Sequence, residues 1–326
     1  MHLPAALALS MVLAQPAPDE LAPASPAPVE ASPAAPPPEA AVPTAVPAQV
    51  SPPVDPVIRE AQNGIAVWHP VAIRDGRLLV IELEPVPGCP DPKIQWGART
   101  FSTFAAGVRR HSLLPVSLGA TPGDKTFAVV CGRRKTTFSV KVFTGDYPES
   151  KLSVDPRFTS RPPKRTVEES ANIRKALASG PAGREWTATF VRPTAGIFTS
   201  TFGVNRTFNG KVSSRHRGLD FDGKVGDPIV AVNDGVVVLA AKDYYFTGSA
   251  VFLAHGDELY TMYFHMSRLD VATGDKVKRG QVIGLVGASG RVTGPHLHFG
   301  FKLAGTYLDP EDLMDYGQVP LLPTDR

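Results

Sequence analysis

Short runs of alternating hydrophobic and polar residues dominate residues 58–150. LLVIELEP, FAVVC and TTFSVKVF are examples, and Asp-Gly, Pro-Gly and Gly-Arg pairs separate the runs. Strands of this length with turn residues between them are typical of a small β-sandwich. We therefore predict a β-sandwich domain over residues 58–150. Its histidines, His69 and His111, are isolated, so we expect a structural or docking module rather than a catalytic one.

A polar connector follows over residues 151–192 and carries one helix signal. Thr166 as N-cap and Glu169 three residues later form a capping box, and a Gly-Pro pair near residue 180 favours a helix end. The pattern predicts one short helix over about residues 167–179, between two β-rich units.

Residues 193–316 return to a β pattern. The strand-like runs lie in GDPIVAVNDGVVVLAA, SAVFLAHGDELYTMYFHMS, VATGDKVKRGQVIGLVG and TGPHLHFGF. Asn-Asp-Gly and Thr-Gly-Asp supply turns between them. We predict a second domain that is β or nearly so, followed by a tail over residues 317–326. The fold class is therefore mainly β.

The first 57 residues have a different composition. An apolar run from Leu3 to Ala14 ends in small residues before Gln15, the pattern of a cleavable export signal over residues 1–14. The run is shorter than the roughly 20 residues that a membrane-spanning helix needs, although an uncleaved anchor or a misassigned start is the alternative. Residues 15–57, rich in Pro and Ala, favour an extended, disordered linker. We expect an exported protein, periplasmic or extracellular in the cell envelope, without a membrane span.

The net charge of the chain limits the classes of binding partner that we expect. The chain of 326 residues has 34 basic and 31 acidic residues and a formal net charge of +3. Five of the acids and none of the Lys or Arg residues precede residue 58, so the remainder carries about +8. This mild positive charge is compatible with an anionic polymer as partner. Nucleic-acid binding is not expected, because that requires a dense basic stripe.

The two cysteines, Cys89 and Cys131, are predicted to pair if the protein is exported to an oxidising compartment. Two isolated buried thiols are the alternative. A zinc knuckle is disfavoured because the close CxxC spacing is missing.

Five of the eight histidines fall between residues 216 and 298. In RHRGLDF, the even separation of His216 and Asp220 places both on one face of an extended segment, with Leu219 and Phe221 facing the core. In PHLHFGF, His296 and His298 share a face for the same reason. Both pairs can therefore point into one groove.

His265 is a further polar candidate for this groove. In ELYTMYFHMS, strict alternation places His265 on one face with Thr261 and Tyr263. Two imidazoles and one carboxylate with an open fourth position are the ligand set of a catalytic zinc site. The histidine cluster therefore favours a metal-dependent hydrolase.

The stretches HRGLDF, YFHMS and VATGDKVKRGQVIGLVGASGRVTGPHLHF together resemble the LytM and lysostaphin-type zinc metalloendopeptidases, which cut peptide bonds in bacterial peptidoglycan. The resemblance covers roughly residues 196–314 and extends to the exported, multidomain members of that family. It implies one Zn²⁺ per chain with His216, Asp220 and His298 as ligands, and His265 and His296 as catalytic residues. Which of the two catalytic histidines is the base stays open. Each ligand histidine should have its other ring nitrogen fixed by a neighbour.

The resemblance also implies a function. We expect an exported zinc endopeptidase that hydrolyses peptide cross-links of peptidoglycan, with stem peptides as partners. The bond is either D-Ala–diaminopimelate or glycyl-glycine, and the first is favoured if the envelope is of the Gram-negative kind. The alternative is an inactive LytM-like domain that activates a cell-wall amidase, although such domains have lost zinc ligands. Regulation by another protein stays open.

Some positions depart from the family pattern or need a separate interpretation. Gly300 follows HLHF where a Glu is common in relatives, and we expect an effect on the local strand rather than on zinc. His255 resembles a structural position of the family and is predicted to be a turn or core residue. A further hypothesis is that the first domain or the connector over residues 151–192 shields the groove until it is displaced.

Overall fold

The computed structural model describes residues 56–154, 164–186, 189–210 and 212–316. The predicted export signal, nearly all of the predicted linker and the tail lie outside the described residues. None of the helices in these ranges has the length and apolar character needed to cross a bilayer.

The first ten strands form two five-stranded sheets around one apolar core. They are β1 (Val57–Gln62), β2 (Ile65–Pro70), β3 (Ala72–Arg74), β4 (Leu78–Leu83), β5 (Lys93–Trp96), β6 (Arg99–Phe101), β7 (Phe104–Ala106), β8 (Arg109–Pro115), β9 (Gly123–Cys131) and β10 (Arg134–Phe143). One sheet has the order β1-β2-β4-β8-β7, and the other has the order β3-β10-β9-β5-β6. The strands pair antiparallel except β3 with β10. This is the predicted β-sandwich.

The sandwich core follows the alternation in the sequence. Along β10, Phe138, Val140 and Val142 are buried while the residues between them are exposed, and they pack against Phe127 of β9. Cys89 and Cys131 form a disulfide with their Cα atoms 5.7 Å apart, which confirms the predicted pairing.

The connector helix α1 (Arg165–Ala176) begins two residues before the predicted start. Its N-cap is Lys164, with no side-chain cap, and Thr166 lies inside the first turn. The predicted capping box is wrong, because Glu169 is used elsewhere: its carboxylate accepts a hydrogen bond of 3.0 Å from the main-chain N–H of Tyr245. A tertiary contact thus replaces the local one.

The second half of the chain is a β domain built on one large antiparallel sheet. Its elements are β11 (Glu149–Leu152), β12 (Phe198–Ser200), β13 (Asn205–Phe208), β14 (Val212–Arg215), β15 (Leu219–Asp222), β16 (Pro228–Val230), β17 (Gly235–Tyr244), β18 (Gly248–Ala254), β19 (Leu259–Met266), β20 (Arg268–Leu269), β21 (Lys276–Val277), β22 (Val282–Leu285), β23 (His296–Leu303), β24 (Thr306–Leu308) and α2 (Pro310–Asp315). The large sheet has the order β12-β15-β23-β19-β18-β17-β21, with β24 beside β23. Two three-stranded sheets, β11-β13-β14 and β16-β22-β20, complete it. The mainly β fold class is confirmed.

The sandwich packs directly against this β domain. Leu78 and Leu113 belong to the same buried cluster as Trp186 of the connector and Tyr316 after α2. The main-chain N–H of Leu78 also donates to Asp312 of α2 over 2.7 Å. In addition, β11 leaves the sandwich and pairs parallel with β13. The two β units therefore share apolar and polar contacts.

Candidate metal centre

Two neighbouring strands bring Asp220 and His298 together. β15 and β23 pair antiparallel with Asp220 opposite His298, and Leu219 and Phe221 point to the core on the other face. His216 follows β14, where its main-chain N–H donates to Val204 O and its carbonyl accepts from Gly203 N–H, each over 2.9 Å. The alternation of side chains in HRGLDF and HLHF thus predicts correctly which face of each strand these residues occupy.

Three ligand-type atoms converge at this point. Nε2 of His216 lies 3.0 Å from Oδ1 of Asp220 and 3.0 Å from Nδ1 of His298. Nδ1 of His298 lies 2.9 Å from the same Asp220 oxygen. A tetrahedral ion with bonds of 2.0–2.1 Å separates its ligand atoms by about 3.3 Å, so the triangle is close to the size that a Zn²⁺ ion requires.

The hydrogen bonds around the triangle also fit a cation. Nδ1 of His216 lies 2.7 Å from the carbonyl oxygen of Thr201. A carbonyl only accepts, so Nδ1 carries a proton, and the ring in its neutral form offers an unprotonated Nε2 to the cluster. A carboxylate oxygen and an imidazole lone pair at hydrogen-bond distance repel each other unless a cation or a proton lies between them. The contact between His216 Nδ1 and the Thr201 carbonyl confirms for His216 the prediction that a neighbour fixes the ring nitrogen that does not face the cluster.

The second oxygen of Asp220 is held by Arg206, a residue that the sequence did not single out. The Arg206 guanidinium donates to Oδ2 of Asp220 and, over 2.7 Å, to the hydroxyl of Ser200. Burial alone would raise the pKa of Asp220, but its interactions with His216 and Arg206 outweigh burial and hold that pKa well below its ordinary value. Asp220 is therefore a carboxylate in this site.

The ring of His298 is fixed by packing. It stacks on Phe264, with ring centroids 5.1 Å apart and planes 12° apart. Gly218 lies against its other edge, and a Cβ there would come within 2.7 Å of Nε2. Burial lowers the pKa of His298 to about 4 against the opposing effect of Asp220, so the ring is neutral, as a metal ligand must be.

His265 reaches the site by a route that alternation did not predict. Thr261 and Tyr263, which were expected to share its face, are 0% exposed and belong to the core side of β19. His265 has a left-handed φ of 66°, and the register between β18 and β19 shifts nearby. This β-bulge turns the imidazole to the opposite face, where its centroid lies 4.8 Å from that of His296. The predicted common face with Thr261 and Tyr263 is therefore wrong.

His265 and His296 are oriented in the same way. Nδ1 of His265 lies 2.8 Å from the carbonyl of Ser289, and Nδ1 of His296 lies 2.8 Å from the carbonyl of Gly294. Each Nδ1 must donate, so each ring in its neutral form keeps Nε2 unprotonated. Nε2 of His296 lies 3.9 Å from Oδ1 of Asp220. The pair can accept and return protons next to the three-atom cluster.

His255 lies where its sequence interpretation places it. His255 is 0% exposed, with hydrogen bonds to Asp234 O and to the hydroxyl of Thr261, so its prediction as a core residue is confirmed. Gly300 faces the side chain of Met262, and a Cβ at this position would come within 2.9 Å of the Met262 methyl group.

The comparisons with known proteins agree with this geometry. Residues 214–310 match the model of peptidase family M23. This part of the chain is a peptidase M23 domain, of the LytM and lysostaphin type.

Several similar curated proteins are endopeptidases. The chain is 45% identical over 95 residues to the peptidoglycan DD-endopeptidase ShyC of Vibrio cholerae, which is 29% of this chain and 22% of the relative. It is 42% identical over 85 residues to the glycyl-glycine endopeptidase ALE-1 of Staphylococcus capitis, 26% of this chain and 24% of the relative. The chain thus spans less than a quarter of the length of these relatives.

One solved structure extends beyond the M23 domain. It is a Pseudomonas aeruginosa protein provisionally assigned to peptidase M23, 27% identical, with a TM-score of 0.58. The match covers 74% of this chain and 93% of that one. Since the M23 domain is a much smaller share of the chain, the likeness includes the region before it.

Proposed function

We propose that this chain is a zinc-dependent endopeptidase that hydrolyses peptide cross-links of peptidoglycan. His216, Asp220 and His298 would hold the ion. The observation that carries the proposal is the triangle of His216 Nε2, Asp220 Oδ1 and His298 Nδ1, whose sides are 2.9–3.0 Å. The family match over residues 214–310 supports peptidase chemistry at this site.

The remaining residues provide proton transfer. When bound, Zn²⁺ supplies Lewis-acid chemistry, polarising a carbonyl and making a water molecule more acidic. His265 and His296 each present a free Nε2, so either of them could take the proton of the attacking water at Nε2, and the protonated ring could then donate that proton to the atom that gains negative charge. The carbonyls of Ser289 and Gly294 hold the rings in the tautomer that this requires.

For the bond, we propose a D,D-cross-link of the D-Ala–diaminopimelate kind rather than a glycyl-glycine bridge. Three of the similar curated proteins are peptidoglycan DD-endopeptidases of Vibrio cholerae. The substrate lies in the cell envelope, so the proposal includes export by the segment over residues 1–14.

The alternative is an inactive LytM-like activator of an amidase. It is disfavoured because the complete set of three ligand-type atoms is assembled and both predicted catalytic histidines lie beside it.

The test is mass spectrometry of muropeptides released from purified sacculi by the full chain, combined with metal analysis. Sacculi with direct D-Ala–diaminopimelate bridges and sacculi with glycine bridges are digested in parallel. We expect about one zinc per wild-type chain and products cut at the direct bridge. His298→Ala should lose both zinc and products.

A matched control is His69→Ala, which removes a histidine of the sandwich far along the chain from the site. It should keep zinc and cleavage. Wild-type protein that is metal-free and releases nothing, yet stimulates an amidase on the same sacculi, would establish the alternative. Full activity of His298→Ala would contradict the assigned ligand set.

A further inference from the structure

A cavity of about 450 Å³ lies where the sandwich meets the M23 domain. Ser117 and Gly119 of the sandwich form one wall, and Arg215, Arg217 and Tyr307 form the other. The two arginines flank His216, the first predicted metal ligand. The cavity is therefore adjacent to the candidate metal centre along the chain.

Two cations lie near the ring of Tyr307, which lines this cavity. The Cζ atom of Arg217 lies 5.2 Å from the centre of the Tyr307 ring, and Nζ of Lys302 lies 5.2 Å from the same centre. Across the described ranges, no carboxylate lies within ion-pair distance of Arg215, Arg217 or Lys302. Burial, together with the charge of Arg217, lowers the pKa of Lys302. The repulsion between Arg217 and Lys302 costs free energy, which an anion bound near both would offset.

The cations lie on the face of β23 that carries the predicted site. His296, His298, Gly300 and Lys302 alternate on this face, since successive side chains of a strand point to opposite sides. A Cβ atom at Gly300 would lie 3.7 Å from the carbonyl oxygen of Arg217, so Gly300 faces Arg217. Lys302 is four residue steps after His298 along the strand, roughly 13 Å. An extended peptide cut at the metal centre would reach Lys302 within about four residues.

The sandwich builds one wall of this cavity through a fixed loop. The main-chain N–H of Gly119 donates to Asp75 over 2.6 Å, and Gly145 donates to the other oxygen of the same carboxylate over 2.7 Å. Asp75 is itself buried. The loop over residues 117–119 is thus tied to the segment that follows β10.

We propose that Arg217 and Lys302, with Arg215 at the rim, form a subsite for a free carboxylate of the peptidoglycan stem peptide. This inference rests on the proposed function and specifies which part of the substrate is recognised. A guanidinium and an ammonium that both lie 5.2 Å from the centre of the Tyr307 ring can each donate a charge-assisted hydrogen bond to a carboxylate. Stem peptides carry such carboxylates on their acidic residues and at their C-terminal end. The sandwich domain thereby contributes a wall to substrate binding.

The test measures binding rather than cleavage. A fluorescent, uncross-linked stem tetrapeptide and the same peptide with its carboxylates amidated are titrated with the full chain, and anisotropy is recorded at low salt. For wild type we expect amidation to weaken binding about tenfold, the effect of losing one charge-assisted hydrogen bond. Arg217→Gln and Lys302→Gln should weaken binding of the acid peptide by a similar factor and leave the amidated peptide nearly unchanged.

Arg133→Gln is the matched control, since it removes one positive charge from an exposed turn of the sandwich. It should bind both peptides as wild type does. The subsite is overturned if wild type binds the two peptides equally, if it binds neither, or if Arg217→Gln still discriminates. Because no cleavage is needed, a chain that discriminates the peptides but releases nothing from sacculi would contradict the proposed hydrolysis and leave the subsite standing.

Discussion

Arg206 holds the oxygen of Asp220 that faces away from the two histidines. Its guanidinium also bonds Ser200, so it fixes both the charge and the rotamer of the carboxylate. Arg206→Ala should reduce metal affinity about 10- to 100-fold, as is typical when a partner of a metal ligand is removed. Arg206→Lys keeps the charge without the planar fork and should have an intermediate affinity. Competition with a chromogenic chelator measures the metal affinity of each variant.

The control for Arg206 is Arg133→Ala, an exposed arginine remote along the chain. It should leave the metal affinity unchanged. Equal affinities for wild type and Arg206→Ala would show that Asp220 is positioned without the arginine.

His265 has the left-handed backbone conformation that non-glycine residues avoid. Its φ of 66° carries a steric cost that glycine does not have, of order 1 kcal/mol. We therefore expect His265→Gly to unfold in urea with a free energy about 1 kcal/mol higher than His265→Ala, while both lose cleavage of sacculi. If the alanine variant were the more stable of the two, the bulge would have relaxed in solution.

At the scale of elements, His255 joins the loop before β17 to β19. Its Nδ1–H donates to Asp234 O over 2.7 Å, so the neutral ring accepts from the hydroxyl of Thr261 at 2.8 Å. The Thr261 oxygen then accepts from Tyr263, 3.1 Å away. Protonation at Nε2 would oppose the Thr261 donor and break this chain of hydrogen bonds.

This buried imidazole makes stability depend on pH. Burial lowers the pKa of His255 to about 4, while an unfolded histidine has about 6.5. Between these pH values the unfolded chain binds more protons than the folded chain. The stabilisation from the buried neutral His255 is therefore fully present above about pH 6.5 and is lost as the pH falls toward 4. The loss amounts to roughly 3 kcal/mol. The free-energy difference between wild type and His255→Gln should therefore shrink between pH 7.5 and 4.5, and a constant difference would contradict the neutral-ring assignment.

The disulfide links the segment after β4 to the end of β9. Cys89 and Cys131 are 42 residues apart, and loop-closure entropy for this length gives about 4 kcal/mol of stabilisation. The double variant Cys89→Ser, Cys131→Ser should lose about this free energy in denaturant unfolding. A reducing agent should lower the stability of wild type to the same level and leave the double variant unaffected; a wild type insensitive to reduction would contradict the link.

For the whole molecule, local patterns in the sequence predict strands and their faces but not contacts between distant segments. Period two alone places Asp220 and His298 correctly, because both lie on regular strands. It fails at His265, whose bulge depends on contacts with Thr247 and Ser289. The capping box fails for the same reason, since Glu169 bonds Tyr245.

Arg206 could not be found from spacing. It reaches Asp220 only because β13 and β14 form a hairpin that returns the chain to the site. The cavity beside Arg217 likewise needs the docked sandwich, which no local pattern specifies. The sequence is therefore sufficient to propose His216, Asp220 and His298 and to predict both β units. Residues that hold these side chains in place, such as Arg206, become visible only in the tertiary fold.

One buried apolar cluster joins the two β units. A fragment over residues 193–326 lacks Trp186, Leu78 and Leu113, which pack in the same core as Tyr316. Losing one large buried aromatic costs about 3–5 kcal/mol, and the whole set approaches the 5–15 kcal/mol of a typical domain. We expect this fragment to show no cooperative thermal transition at the temperature where the full chain melts. In the full chain, Trp186→Ala should lower the free energy of unfolding by about 3–5 kcal/mol. A fragment that melts at the same temperature as the full chain would contradict this and show that the M23 domain folds independently of the sandwich.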